Sequence, residues 1–261
     1  MRNKSKALFL ISILVILGVI FLRNLVSLQN DEEQKLSPSP TVIQTENPKT
    51  TDLTINEEEF KVAWVKIGDT KNLKLFPNFT EKLTAKKAKE NTQCSTLISG
   101  GFYTEDSTPT GLFISEGRQL KSHIRNQLFD GVFSIDYNEK PKITSFFPEE
   151  NLRLGLQTGP TLMKDGESTS LNLVSDKPAR RVVIALTEDH SIVFLAFYKK
   201  DSVFLGPKLE NLPVSVKYTS DKIGLKIVDA LNLDGGSASA FITKDTQLSE
   251  LTPIGSYFCI R

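Results

Sequence analysis

The chain has 261 residues, 39% of them hydrophobic and 24% charged, which suits a folded domain with a substantial core. Its net charge of +1 gives no electrostatic signal for nucleic acid, so we expect no nucleic-acid partner. Because the chain has two histidines and two cysteines, we expect no zinc site and assign no metal ligands.

The first predicted element is a membrane anchor. Residues 1–6 carry basic side chains and no acid, and residues 7–22 are apolar apart from Ser12 and Gly18. Extended to Leu28, the segment would reach about 33 Å as a helix, and a bilayer core is about 30 Å thick. We predict an uncleaved signal anchor at residues 1–28, with the C-terminal part extracytoplasmic because positive charge precedes the span. The alternative is a cleaved signal peptide and a secreted domain.

Residues 29–53 are predicted to be a flexible linker, because they are rich in Pro, Ser and Thr and their apolar residues are isolated. The rest, residues 54–261, suits one domain. Short apolar runs bounded by Gly, Pro, Asn or Asp predict about a dozen strands, and there is no alternation of strands with helices. The predicted fold class is therefore α+β, a β-rich single domain with a few helices.

The clearest strands and helices follow the apolar pattern. Strands are predicted at 60–67, 73–76, 129–135, 142–146, 179–186, 191–198, 225–233 and 257–260. Thr84 caps a short predicted helix at 85–90, and Pro207 favours a helix from about Lys208. Residues 179–198 form a predicted hairpin with His190 at its tip, so we interpret His190 as an exposed turn residue rather than a catalytic one.

The two cysteines, Cys94 and Cys259, both lie in the part predicted to be exported, where a disulfide is permitted. A bridge between them would connect an early strand to the last one. Two buried free thiols are the alternative interpretation.

The segment 230–242 carries the strongest chemical signal. An apolar strand ends at Asp234, and the chain then turns on Gly235 and Gly236. A packed strand would hold the Asp234 carboxylate rigidly, and consecutive backbone N–H groups in such a turn can bind an anion. An ordinary Asp-Gly turn is the alternative. Residues 97–103 repeat the pattern, with a short apolar strand followed by Gly100 and Gly101.

Five segments together resemble the phosphodiester glycosidase family. They are LISGGFY (97–103), PTGLFISEG (109–117), QTGPTL (157–162), ARRVVIA (179–185) and ALNLDGGSAS (230–239). The resemblance covers roughly residues 60–261. It implies a hydrolase that cleaves a sugar-1-phosphodiester at the anomeric carbon–oxygen bond, acting on envelope or extracellular glycans.

The resemblance also implies roles for individual residues. Asp234 would be the catalytic carboxylate. Strand alternation sends Arg180 and Arg181 to opposite faces, and the motif favours Arg180 as the second catalytic residue. The residues expected to bind substrate, some through backbone N–H groups to the phosphate, are Ser99, Gly100, Gly101, Tyr103, Thr158, Gly159, Arg181, Asn232, Gly235, Gly236, Ser237 and Ser239. The cofactor is left open, since Asp234 could instead hold a divalent cation.

Two positions depart from the family pattern. Ser99 stands where the family usually has Asn, and Ser237 stands where a third glycine often follows Asp-Gly-Gly. Two other functions are therefore kept open, a non-catalytic glycan-binding or wall-binding protein on the same fold and a transferase of related chemistry. The acids Glu105, Asp106 and Glu167 are interpreted as solvated loop residues, so the sequence identifies no second catalytic carboxylate.

Overall fold

The computed structural model describes residues 49–146 and 151–261, which belong to one compact unit, Ile43–Arg261. The predicted anchor at 1–28 and residues 29–48 of the predicted linker lie outside the described residues. In the part that is described, no helix is both long and apolar enough to span a bilayer.

The predicted β-rich domain is confirmed. The described residues contain 17 strands and two α-helices, α1 (Ala85–Thr92) and α2 (Leu212–Ile223). The strands are β1 (Lys49–Ile55), β2 (Glu58–Ile67), β3 (Leu73–Pro77), β4 (Thr96–Ser99), β5 (Phe113–Ser115), β6 (Arg118–Lys121), β7 (Gly131–Asp136), β8 (Pro141–Thr144), β9 (Leu152–Thr158), β10 (Thr161–Lys164), β11 (Glu167–Ser168), β12 (Arg181–Thr187), β13 (Ile192–Lys199), β14 (Ile227–Asn232), β15 (Phe241–Ile242), β16 (Gln247–Leu248) and β17 (Ser256–Ile260). The prediction of about a dozen was low because strands of two residues carry no periodic pattern.

These strands form three sheets. The first has seven strands in the order β1-β2-β13-β12-β14-β10-β11, the second five in the order β16-β15-β4-β17-β3, and the third five in the order β6-β5-β9-β7-β8. The main core lies between the sheets, since Ile184, Phe258 and Phe133 come from one sheet each and belong to a single apolar cluster. A second cluster packs α2 onto the opposite face of the first sheet, with Val183 and Val216 in it. Strands of that sheet are therefore buried on both faces, which explains their continuous apolar sequence.

The helices end where the local sequence allows. Thr84 caps α1 by accepting a hydrogen bond from the Lys87 N–H. The second helix begins at Leu212, after a short 3-10 turn, and not near Lys208 as predicted. Pro213 lies in the first helical turn, where its missing N–H is not needed, and Gly224 ends the helix at a φ of 69°.

Strand β1 lies partly inside the predicted linker. Residues 49–55 pair in antiparallel register with β2, and Leu53 is buried between this edge and α2. The prediction ended the linker too late because this strand is polar except for Leu53 and Ile55. The ordered part of the chain therefore includes residues 49–53.

Cys94 and Cys259 form a disulfide, with their Cα atoms 5.3 Å apart. The bridge closes a loop of 165 residues and connects the start of β4 with β17, beneath α1. The chain-entropy model gives a stabilisation of up to about 5 kcal/mol for a loop of this length.

Candidate active site

Strand ends from all three sheets meet at Asp234. The residue follows β14, and its N–H donates to the Gly100 carbonyl at 3.0 Å, which joins the first sheet to the second. The preceding Asn232 N–H donates to the Pro160 carbonyl, beyond the end of β9 in the third sheet. The segments 97–103, 157–162 and 230–239 are thus brought together as the resemblance implied.

Each glycine after Asp234 is required for a different reason. A side chain at Gly235 would place its Cβ 2.7 Å from the Arg180 carbonyl oxygen. Gly236 has a φ of 62°, in the left-handed region, and its N–H donates to the same carbonyl at 2.8 Å. The turn is therefore pinned to the start of β12.

The backbone N–H groups predicted to bind phosphate are largely occupied. Gly100 donates to Ser256 and Gly236 to Arg180, each at 2.8 Å. The Gly235 N–H donates to the Asp234 carboxylate. The Gly100 and Gly236 N–H groups therefore hold the strands together and are not available to phosphate, while a phosphate contact at the other two glycines stays a prediction.

A cavity of about 360 Å³ opens beside Asp234. Five apolar side chains form most of its wall: Phe102, Leu128, Phe129, Pro160 and Leu209. Its polar or small lining residues are Gly159, Ala179, Arg181, Asn232, Asp234, Gly235 and Gly236. Six of the fourteen predicted site residues line this cavity and the other eight do not. Of these eight, Tyr103 lines a separate cavity of about 240 Å³.

Asp234 has the properties of a poised carboxylate. Burial raises the pKa of its carboxyl group to about 7, and the hydrogen bond from the Gly235 N–H opposes only part of that rise. A carboxyl group with this pKa exchanges protons at neutral pH, as general acids and bases do.

The two arginines lie in different environments, and only the role expected of Arg180 changes. Arg180 is fully buried, and its guanidinium donates to Ser239 and to the carbonyls of Val203 and Ser249. It does not line the cavity. Burial lowers its pKa to about 10, so the side chain stays charged at neutral pH. We therefore correct its role from catalytic to structural.

Arg181 lines the cavity instead. Its Nη2 donates to Asp176 at 3.0 Å, and its Nε donates to the Pro207 carbonyl at 3.1 Å. Burial lowers its pKa, although the neighbouring Asp176 opposes the effect. The guanidinium is thus held in place by Asp176 and Pro207, and the residue belongs to the cavity lining.

Thr158 holds Asn232, which lines the cavity. Thr158 is fully buried, and its hydroxyl donates to the Asn232 carbonyl at 2.7 Å. Asn232 Nδ2 donates to the Gly159 carbonyl at 3.1 Å. Within the described residues, the buried Asn232 Oδ1 has no hydrogen-bond partner.

The remaining predicted residues surround the turn. The Ser99 hydroxyl reaches the Asp234 carbonyl at 3.5 Å, and Ser239 accepts from Arg180. Gly101 packs against Leu156. The Tyr103 hydroxyl donates to the Pro253 carbonyl, and its pKa is raised by burial and then by the charge of Asp234.

Ser237, another of the predicted site residues, contacts the loop at 251–252. The Ser237 hydroxyl is 3.2 Å from that of Thr252, and the Ser237 carbonyl accepts two backbone N–H groups of the loop at 251–252. Ser237 thus fastens this loop to the glycine turn, and a third glycine at this position would keep the two carbonyl bonds and lose only the hydroxyl contact.

Sequence reasoning missed most of the apolar wall. Phe102 directly follows the Gly-Gly pair, so its place in the motif could have indicated it; its ring centroid is 5.0 Å from that of Phe129. Leu128 and Leu209 come from segments without periodicity and gave no signal. Asp176, which holds Arg181, likewise lies in a loop that no motif marks.

In the two described stretches, no three His, Cys, Asp or Glu side chains group as metal ligands would. A divalent cation at Asp234 stays a prediction.

A larger cavity of about 750 Å³ lies elsewhere, at the opposite end of β14. Asp229, Asp189, Glu139 and His190 line it, and His190 occupies the hairpin tip as predicted. Two of its acids are in ion pairs: Asp189 pairs with Lys66 at 2.8 Å, and Glu139 pairs with Arg153 at 2.7 Å. None of the predicted site residues lines this cavity.

Comparisons with known proteins point to one family. A model of the phosphodiester glycosidase family matches residues 92–260. The fold is similar to the catalytic domain of zebrafish N-acetylglucosamine-1-phosphodiester alpha-N-acetylglucosaminidase, described as auto-inhibited by its pro-peptide. The TM-score is 0.63 and the identity 15%, over 87% of this chain and 85% of that one.

Two bacterial structures are also similar. A hypothetical protein from Synechocystis has a TM-score of 0.55 at 14% identity, covering 82% of this chain and 62% of that chain. A putative exported protein from Burkholderia pseudomallei has a TM-score of 0.53 at 10% identity, covering 77% of this chain and 74% of that chain. No curated protein matches the chain in sequence.

Proposed function

The chain belongs to the phosphodiester glycosidase family, and we propose from this premise that it hydrolyses sugar-1-phosphodiesters with Asp234 as the catalytic carboxylate. Glycosidase activity on phosphodiester-linked sugars goes with that membership. The observation that carries the assignment to Asp234 is its carboxyl group, which borders the cavity with a pKa raised to about 7.

The reaction breaks the bond between the anomeric carbon and the bridging oxygen. The bridging oxygen leaves with the phosphate as a phosphomonoester, and the oxygen of water ends on the sugar. The transition state resembles an oxocarbenium ion, which a carboxylate stabilises, attacks or helps water to attack. The position of Asp234, just after the end of β14 and in the cavity lining, supports this role. A phosphate is a good leaving group, so the reaction does not depend on a second carboxylate.

Arg181 supplies the cation for the phosphate. A guanidinium at the edge of a largely apolar cavity forms strong charge-assisted hydrogen bonds with phosphate oxygens. Its attachment to Asp176 and Pro207 fixes the side chain before substrate binds. The charge that develops on the leaving phosphate is therefore met by a positioned group.

The aromatic wall suits the sugar. Phe102 and Phe129 contact each other and both line the cavity, so they present apolar surface opposite the polar floor. A pyranose ring has apolar C–H faces as well as hydroxyls, and such a two-sided cavity accommodates both.

The proposal includes an extracytoplasmic location. The predicted anchor at residues 1–28 supports it, as does the Cys94–Cys259 disulfide, since such bridges persist in oxidising compartments. The substrates would then be envelope or extracellular glycans, with the membrane as a partner through the N-terminal helix.

The test uses the full-length protein and a panel of sugar-1-phosphodiesters in isotopically labelled water. We expect the label in the released sugar, because the anomeric carbon–oxygen bond breaks. Label in the phosphate would show phosphorus–oxygen cleavage and contradict the proposal. Turnover without label in either product would indicate a transferase, and saturable binding without turnover would indicate a glycan-binding protein.

A further inference from the structure

Gln157 is buried, and its side-chain amide makes four hydrogen bonds, all of them to backbone groups. The residue lies on β9, is 3% exposed and does not line the cavity beside Asp234. Its Oε1 accepts from the N–H groups of Leu112 and Ile124, at 3.1 and 3.0 Å. Its Nε2 donates to the carbonyls of Ile124 and Phe129, at 2.7 and 2.8 Å. Since a side-chain amide has two donors and one oxygen with two lone pairs, its capacity is fully used.

The loop at 122–130 depends on such bonds for its order. It connects β6 to β7 without helix or strand, and none of its residues is buried. Its end nevertheless supplies Leu128 and Phe129 to the cavity wall. Because the loop has no buried side chain of its own, hydrogen bonds have to hold it in place. Gln157 holds it at two points, Ile124 and Phe129.

The same amide reaches the segment that supports Phe102, the other aromatic residue of the wall. Leu112, which donates to Gln157 Oε1, lies two residues after Thr110. The N–H and the hydroxyl of Thr110 both donate to the Phe102 carbonyl at 3.2 Å. Gln157 therefore connects the two segments that carry Phe102 and Phe129, whose ring centroids are 5.0 Å apart.

Strand β9 also connects this wall to the catalytic carboxylate. The residue after Gln157 is Thr158, whose hydroxyl donates to the Asn232 carbonyl at 2.7 Å, just before Asp234. Neighbouring residues of a strand point to opposite faces, so one strand reaches the wall with Gln157 and the glycine-turn segment with Thr158.

We propose that Gln157 is a positioning residue for the sugar: it fixes Phe102 and Phe129 in the cavity wall and so sets the affinity for the sugar without contacting it. The inference rests on the proposed function, in which these two rings face the sugar. A wall that is fixed before binding spares the complex the entropic cost of ordering it. Loss of the Gln157 amide should therefore weaken substrate binding more than it slows the chemistry at Asp234.

The experiment compares full-length wild type with Gln157→Met, which keeps an unbranched side chain and removes all four hydrogen bonds. The substrates are the methyl phosphodiesters of glucose-1-phosphate and galactose-1-phosphate. We expect KM to rise about tenfold for both, with kcat within about threefold, because the variant loses binding rather than transition-state contacts. Hydrogen exchange followed by mass spectrometry should show faster exchange of the backbone amides at 122–130.

A second variant loosens the same loop from its exposed side. Asn126 Oδ1 accepts from the N–H groups of Leu128 and Phe129, at 2.7 and 3.1 Å. Asn126→Ala removes these bonds without touching the core, so it tests the loop even where Gln157→Met folds poorly. It should also raise KM, by about threefold, and speed exchange at 122–130.

The matched control is Thr187→Val. Thr187 is 1% exposed, and its hydroxyl bonds to the backbone N–H and carbonyl of Ser191, at the end of β12 away from Arg181. The variant should lower the thermal unfolding temperature, as Gln157→Met does, but leave KM and the exchange at 122–130 unchanged. General destabilisation is thereby separated from a loosened wall.

A double-mutant cycle tests whether Gln157 acts through the wall. In a Phe129→Ala background, Gln157→Met should raise KM by less than about threefold, because the ring that it positions is gone. The full tenfold rise in that background would overturn the inference, as would a loss of kcat at unchanged KM or unchanged exchange at 122–130. These results would leave the proposed function standing. If the wild type turns over neither phosphodiester, the proposed function itself fails and the inference falls with it.

Discussion

The two ends of strand β14 both open onto cavities lined by acids, and the smaller cavity is the better candidate for chemistry. At one end, Asp229, Asp189 and Glu139 line a cavity of about 750 Å³. At the other end, Asp234, Asn232 and Arg181 line a cavity of about 360 Å³. The two ends lie roughly 16 Å apart along the strand.

The difference between them is the state of their polar groups. At the larger cavity Lys66 and Thr187 hold the Asp189 carboxylate and lower its pKa. Glu139 is held by Thr70 and Arg153. At the smaller cavity the pKa of Asp234 is raised to about 7 by burial, and Asn232 Oδ1 is unpaired. Paired charges stabilise a fold, whereas desolvated and unpaired groups retain interaction energy for a ligand.

We expect the largest difference between the two ends when one aspartate at each end is replaced by asparagine and kcat/KM is compared. Asp234→Asn should lower kcat/KM about 10³-fold or more, because the amide cannot carry the negative charge that the transition state requires. Asp229→Asn is the matched control, since burial also raises the pKa of Asp229 and the residue lies on the same strand.

The control should leave kcat/KM within about twofold, a change of less than 0.5 kcal/mol. Kinetics on a sugar-1-phosphodiester, with circular dichroism to check folding, decide the outcome. Equal losses in both variants would remove the distinction between the two ends.

The pH dependence of the rate is the next largest effect. If the ionised form of Asp234 acts, kcat/KM should rise tenfold per pH unit below a pKa of about 7. That amounts to roughly 50-fold between pH 5 and pH 7 and roughly 100-fold between pH 5 and the plateau above about pH 8. A rate that falls across the same range would make Asp234 a general acid instead. Asp229→Asn should show the wild-type profile.

Arg181 should matter for substrate binding. Arg181→Met removes the cation from the cavity wall and should raise KM about 30-fold, which corresponds to about 2 kcal/mol for a charged hydrogen bond to phosphate. Asp176→Asn keeps the cation and removes only its 3.0 Å ion pair, so a smaller rise is expected. A KM that is unchanged in Arg181→Met would place the phosphate elsewhere.

The sequence predicted those features that depend on local pattern. The hairpin of β12 and β13 follows from two apolar runs separated by a polar tip. Asp234 could be identified because a strand end followed by two glycines is visible in the sequence. The polar strand β1 could not be predicted from the sequence, since it is ordered by pairing with β2 and not by its own composition.

The choice between Arg180 and Arg181 shows why the site was predicted only in part. Alternation places the two side chains on opposite faces, but the first sheet is buried on both faces, so no polar face indicates the direction of the cavity. The apolar wall depends on contacts distant in sequence as well. Gln157 binds the backbone of Ile124 and Phe129 and so holds the loop that carries Leu128 and Phe129. No local pattern records such an arrangement.

The smallest expected effect is at the larger cavity. The pKa of Asp189 is lowered in the folded protein, chiefly by the hydrogen bond from Lys66. The folded state therefore binds this proton less readily than the unfolded chain, whose aspartates titrate near pH 4. The resulting stability is present above about pH 4 and is lost as the pH falls below it.

Removing this pair should have little consequence at neutral pH. Asp189 is largely exposed, so solvent screens the pair and its contribution should stay below about 1 kcal/mol. Asp189→Asn should flatten the acid limb of stability in thermal unfolding between pH 2 and pH 5, and kcat/KM should not change. Adding Lys66→Met to that variant should cost nothing further, because its partner is already gone. A loss of activity in either variant would extend the functional site to the larger cavity and end the contrast between the two ends of β14.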